Sequence, residues 1–126
     1  PLKTEKSSTG KDVISMKGQE VFKNAVLKMT EYSERILEKN GLSIDDIDYF
    51  IPHQANIRII EAVAERLSIP KTKVISTVSY HANTSAATIP LAIGELFAKN
   101  TQLSGSKVLS CSVGAGFTFG SAIFEI

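Results

Sequence analysis

Tryptophan is missing from this chain, and phenylalanine and tyrosine bring the aromatic fraction to only 7%. That argues against an extended surface for stacking nucleic-acid bases. Fourteen Lys and Arg nearly balance thirteen Asp and Glu, for a net charge of +1. No strong field therefore favours nucleic acid or an anionic membrane as a partner. No apolar run approaches the ~20 residues that a membrane-spanning helix needs. The single cysteine, Cys111, excludes an internal disulfide and fits a reducing, cytoplasmic setting. There is no initiator Met and no signal-peptide pattern. With an opening rich in Lys, Ser, Thr and Gly, the expectation is a piece of a longer protein. What is present is ordinary for a soluble globular protein: 43% hydrophobic and 21% charged residues. A length of 126 residues is one domain's worth of chain, enough for a real core.

Residues 1–15 are polar and aperiodic, and read as a polar loop or mobile N-terminal end. From Gly18 onward, Phe22, Ala25, Val26, Met29, Ser33, Ile36 and Leu37 recur at helical spacing, and Asn40-Gly41 supplies a left-handed stop. Ser43 caps a short turn over Ile44, Asp45 and Asp46. Tyr49–Ile51 is a buried strand, and Ile57–Leu67 a helix ended by Ser68-Ile69-Pro70. Val74–Val78 is β-branched and strand-like. Ala86–Ala98 is an Ala-rich helix with apolar residues on more than one side, expected to be buried. Pro90 is tolerated there if the regular helix starts near Ile89. Residues 107–113 and 117–126 read as a hairpin around Gly114-Ala115-Gly116. The order α, β, α, β, α, β, β is that of an α/β layered domain.

Three polar clusters follow strand-like runs: PHQAN after Tyr49–Ile51, YHANTS after Val74–Val78, and VGAGFTFG within the final hairpin. Loops at strand ends are where α/β sheets hold ligands, and three such loops can meet at one site. His53 titrates near neutrality, and a neutral imidazole can donate to a developing oxyanion. The alternative is a histidine satisfied by backbone groups in a turn. Asn83 can donate through its NH2 group to a carbonyl oxygen, or can cap the following helix together with Thr84 or Ser85. His81 shares the segment, but two His and an Asn without a carboxylate or a second Cys make a poor metal site, so no metal is expected. Cys111 lies mid-strand with no cationic neighbour in sequence and reads as a small buried residue rather than a nucleophile. The Gly114–Gly116 turn can present backbone N–H groups to an anion, but it lacks the dinucleotide-binding spacing.

Taken in series, IPHQAN, HANTSAATIP and VGAGFTFGSA resemble the carboxyl-terminal half of 3-oxoacyl-[acyl-carrier-protein] synthase III, the condensing enzyme that starts bacterial fatty-acid synthesis. The stretch Met16–Val26, MKGQEVFKNAV, is also similar, and the resemblance covers residues from about 14 to 126. It implies a C-terminal domain over residues 16–126 with a thiolase-like layered α/β fold, its helices packed on a mixed β-sheet. It also implies a cytoplasmic homodimer in which the nucleophilic cysteine belongs to an amino-terminal half outside this chain. That enzyme condenses an acyl-CoA primer with malonyl-acyl carrier protein and uses no cofactor. By resemblance, His53 and Asn83 are the catalytic pair that stabilises the thioester oxygen, and the backbone N–H of Ala115 lies in the oxyanion hole. Met16, Gly18, Phe22, Ala55, Asn56 and Ile59 would line the channel for CoA and the pantetheine arm, and Arg58 would dock the acidic carrier protein. Asn24 stands where relatives mostly carry an apolar residue. Ala115 replaces a common glycine, which requires a negative φ there. The other readings are a non-catalytic fragment or scaffold domain, and a CoA-dependent acyltransferase of secondary metabolism.

Overall fold

The structure, a computed structural model, describes residues 2–10 and 12–126, the side chains of 2–4 and 12–16 excepted. Two antiparallel strands, β1 (Leu2–Lys6) and β2 (Asp12–Met16), precede the long helix α1 (Gly18–Lys39). After a 3-10 turn at Ile44–Asp46 come β3 (Tyr49–Pro52) and α2 (Ile57–Arg66). A second 3-10 turn (Lys71–Lys73), the one-turn helix α3 (Val78–His81) and a third 3-10 turn (Ser85–Ala87) lead to α4 (Thr88–Lys99). The chain closes with β4 (Lys107–Gly114) and β5 (Thr118–Glu125).

The main sheet has the order β3-β4-β5, with β3 parallel and β5 antiparallel to the central strand. Alternation along the strands divides the core between its two faces. Phe50, Leu109 and Cys111 pack with Ala25, Val26 and Met29 of α1 and with Ile59 and Val63 of α2. Ile51 and Val108 pack with Ala92 and Leu96 of α4. The result is helices on both faces of a mixed sheet, the layered α/β arrangement expected from the element order. At the end of α1, Gly41 takes φ +65°, and Leu42 N–H reaches back to Leu37 O at 3.0 Å. This closure satisfies carbonyls that the helix end would leave unpaired. No helix among the described residues is long and apolar enough to cross a membrane.

Three local expectations need correction. The polar opening is paired rather than loose: β1 and β2 register from Leu2↔Met16 to Lys6↔Asp12, with Gly10 N–H turned back on Ser7 O at 2.9 Å. Backbone pairing, which composition does not encode, occupies the inward-facing N–H and C=O groups of these two strands. The strand expected at 74–78 is reduced to one parallel bridge, Phe50↔Val74, and the chain turns into α3 at Val78. A side chain described below takes over the backbone groups beyond that bridge. Finally, α4 buries one face only. Thr88, Ala92 and Leu96 are buried, whereas Leu91 and Phe97 are 37% and 53% exposed. Pro90 falls at the third helical position, where an intrahelical N–H bond is not required.

Candidate active site

The parallel register of β3 and β4 delivers their carboxyl ends to one edge of the sheet: Pro52 pairs with Cys111, and His53 N–H donates to Cys111 O at 2.8 Å. The loops that leave both strands therefore start side by side. A cavity of about 520 Å³ opens there. His53, Ala55 and Asn56 line it from the loop after β3, Asn83, Ser85 and Ala86 from the loop before α4, and residues 112–115 with Phe117 from the β4–β5 turn. Val21 and Ala25 of α1 and Ile59 of α2 complete the wall. Thus His53, Asn83 and Ala115, which lie far apart in sequence, border a single space.

His53 is half-buried, and burial holds its pKa below the ordinary histidine value, because an apolar surrounding disfavours the cation. Burial therefore favours the neutral ring. Its Nδ1 lies 2.7 Å from Thr88 Oγ1, and Nε2 makes no hydrogen bond to a described residue. Asn83 does not cap α4, which begins five residues later. Its Oδ1 instead accepts from Ser85 N–H at 3.0 Å, a local turn bond that commits the oxygen and leaves the NH2 end to donate. The turn holding Asn83 is strained: Ala82 has φ +56°, ψ −162°, and Ser85 has φ +54°. Such conformations cost on the order of 1–3 kcal/mol in residues with a Cβ. At the third loop, Ala115 keeps a negative φ, as its methyl group requires, and Gly116 takes the positive value, +136°.

The structure adds one residue that the motifs contained but that sequence reasoning passed over. Gln54 is completely buried. Its Nε2 donates to Pro52 O at 2.7 Å and Ile75 O at 3.3 Å, and its Oε1 accepts from Thr77 N–H at 2.8 Å. The carboxamide thus stands in for a strand partner at 75–77 and ties the His53 loop to the segment leading to Asn83. A polar residue wedged between His53 and Ala55 was the available signal, but its contacts lie 21 and 23 positions downstream.

The remaining expected positions divide. Ala55, Asn56 and Ile59 line the cavity, whereas Gly18 and Phe22 do not. Asn56 also caps α2, its Oδ1 accepting from Ile59 N–H at 3.0 Å. The side chain of Met16 lies outside the described residues. The Arg58 guanidinium sits 5.7 Å from the centre of the Phe22 ring, so the two side chains pair with each other on the surface beside the cavity. Asn24 turns its amide onto Glu20 O along the helix at 2.9 Å. Cys111 is buried in the sheet, and burial pushes its thiol up to about 12, far from a reactive thiolate. His81 packs against Tyr80 with ring centres 4.8 Å apart and planes tilted by 54°, and it does not border the cavity.

Comparison with known proteins gives a consistent result. The sequence profile of the 3-oxoacyl-[acyl-carrier-protein (ACP)] synthase III C terminal matches residues 37–126. A beta-ketoacyl-[acyl-carrier-protein] synthase III of Wolbachia pipientis wMel is 55% identical over 120 residues, covering 94% of this chain. The chain spans 38% of that relative's length. The crystal structure of 3-oxoacyl-[acyl-carrier-protein] synthase III from Aquifex aeolicus VF5 superposes with a TM-score of 0.87 at 40% identity, over 98% of this chain and 39% of that one. The priming beta-ketosynthase from the R1128 polyketide biosynthetic pathway superposes with a TM-score of 0.85 at 30% identity, over 99% of this chain and 40% of its own. The thiolase-like layered fold implied by the sequence resemblance is the fold of these structures.

Proposed function

Because the chain belongs to the 3-oxoacyl-[acyl-carrier-protein] synthase III family, we propose that it forms the carboxyl-terminal half of a condensing acyltransferase of fatty-acid biosynthesis. The enzyme joins an acyl-CoA primer to malonyl-acyl carrier protein, without a cofactor, in a cytoplasmic homodimer. The observation that carries this reading is that His53 and Asn83 line one cavity from separate loops, with Ala115 on its wall.

The chemistry follows from what those groups can do. A cysteine thiolate of the amino-terminal half attacks the acyl-CoA thioester, CoA leaves as its thiolate, and the acyl group stays on sulfur. Malonyl-acyl carrier protein then places its thioester oxygen between His53 Nε2–H and the Asn83 NH2. As the bond to the carboxylate breaks, CO2 departs and the electron pair moves into the thioester, loading that oxygen with charge. Both donors therefore bind the transition state more tightly than the ground state. The enolate carbon attacks the acyl-cysteine, the Ala115 N–H receives the new oxyanion, and collapse returns the thiolate. The role needs a neutral imidazole, with one nitrogen donating and the other accepting. The lowered pKa of His53 supports that state. Arg58, exposed beside the cavity, would meet the acidic carrier protein. The exposed Tyr80, Leu91 and Phe97 support further protein, the amino-terminal half or the partner copy, packing against the outer surface of α3 and α4.

The test uses the full-length protein. His53→Ala or Asn83→Ala should lower malonyl-thioester decarboxylation by ~10²–10³ while sparing acylation of the cysteine. Normal decarboxylation in either variant refutes the assignment. Likeness to a polyketide-priming enzyme supports a second reading, priming in secondary metabolism. Mass spectrometry of the protein after exposure to a panel of acyl-CoAs separates the two by the acyl group retained.

A further inference from the structure

Thr88 opens α4 and is 2% exposed. Its Oγ1 lies 2.7 Å from His53 Nδ1 and 2.9 Å from Ser85 O. A hydroxyl carries one proton, so it cannot donate to both. If the proton goes to Ser85 O, Thr88 accepts from Nδ1–H, and the neutral imidazole presents a bare Nε2 to the cavity. If it goes to Nδ1, Nε2 keeps its hydrogen and the cavity side of the ring is a donor.

Two observations favour the second arrangement. Ser85 O already accepts from the backbone N–H of Thr88, so it is satisfied without the hydroxyl. The shorter distance agrees: 2.7 Å fits a hydroxyl donor better than an N–H donor, which sits nearer ~2.9–3.0 Å. The contact to Ser85 O, at 2.9 Å, lies within the ~2.5–3.0 Å range of O–H···O bonds, so donation to that oxygen is the competing arrangement that the experiment must exclude. We propose that Thr88 is a positioning residue that sets the tautomer of His53: its hydroxyl donates to Nδ1 and so keeps the ring proton on Nε2, where the substrate oxygen is held. The contact spans 35 residues and joins the histidine loop to the helix that follows the asparagine loop. One helix start therefore orients the ring and decides which nitrogen faces substrate. The inference rests on reading His53 as a donor to that oxygen, and its test can fail separately from that reading.

Full-length protein labelled with 15N-histidine reports the protonation of each ring nitrogen, with His53→Gln identifying the signal. The expected wild-type spectrum has a protonated Nε2 and a bare Nδ1. Thr88→Val keeps the shape and removes the hydroxyl. It should move the population toward Nδ1–H and lower kcat for decarboxylation by between about tenfold and the ~10²–10³ of a lost donor. KM and cysteine acylation should stay close to wild type. Thr88→Ser, which keeps the hydroxyl, should restore both the nitrogen signature and the rate. A protonated Nδ1 in the wild type overturns the proposal. So do unchanged nitrogen signals in Thr88→Val, or a Thr88→Ser protein as impaired as Thr88→Val. Normal decarboxylation in His53→Ala would instead remove the donor reading, while the nitrogen signals still decide whether Thr88 sets the tautomer.

Discussion

Replacing Gln54 by leucine removes a buried carboxamide while keeping most of its volume. In the wild-type protein that group makes three hydrogen bonds, to Pro52 O, Ile75 O and Thr77 N–H. The variant leaves the Thr77 N–H without its acceptor, at a cost of about 1–3 kcal/mol. Losing each donated bond adds about 0.5–1.5 kcal/mol, with the 3.3 Å contact to Ile75 at the low end. The expected total is on the order of 3 kcal/mol, a large share of the ~5–15 kcal/mol typical of a folded domain. In urea this moves the unfolding midpoint down by between about 1 and 3 M, for a slope of ~1–3 kcal/mol per molar. A local readout is sharper. Hydrogen exchange at the Thr77 amide should accelerate by about 10²-fold, since each ~1.4 kcal/mol is a factor of ten. Gln54→Glu should be at least as damaging, because an ionised carboxylate cannot donate to either carbonyl and is buried without a counterion. A Gln54→Leu protein with unchanged exchange at Thr77 and an unchanged midpoint would refute the clamp.

Other outcomes follow from the same geometry. Ala82→Gly relieves a backbone conformation that suits glycine. After the extra freedom of the unfolded chain is deducted, it should stabilise by about 1 kcal/mol; a lower urea midpoint would contradict the strain. Burial depresses the His53 pKa, so the neutral ring persists below the ordinary ~6.5. The acid limb of decarboxylation should therefore lie below pH ~6.5, and a limb at or above that value opposes the reading. By linkage, the unfolded chain takes up this proton more readily than the folded one. Stability from this group is thus present above pH ~6.5 and lost as pH falls from there through the folded pKa, which proton uptake on unfolding at pH 6 would detect. Arg58→Glu should slow association with the carrier protein several-fold at low ionic strength, and the difference should fade as salt rises. An effect independent of salt would count against docking through that guanidinium.

Local signals were legible wherever the partners are near in sequence. The apolar spacing from Phe22 to Leu37 and the Asn40-Gly41 stop marked α1 to its last turn, because a helix closes its bonds four residues apart. The final hairpin was legible for the same reason, its turn lying between the strands it joins. The segment 74–78 misled because β-branched residues describe what suits a strand, while the number of ladder bonds depends on which partner arrives. Gln54 captured those backbone groups instead. The opening fifteen residues misled in the opposite direction: a polar composition concealed a paired hairpin.

By itself, then, the order of residues determined most of the helices and strands, the turns that end them, and the three polar loops with the chemistry that His53 and Asn83 offer. Tertiary structure alone decided that those loops share a cavity, that Gln54 and Thr88 hold the histidine loop in place, and that Cys111 is sealed in the sheet. The physical reason is range. Capping and periodicity act within a turn or two of chain, whereas the parallel pairing of β3 with β4 joins residues 59 positions apart, from Tyr49↔Val108 to Pro52↔Cys111, and only that pairing brings the loops to one edge.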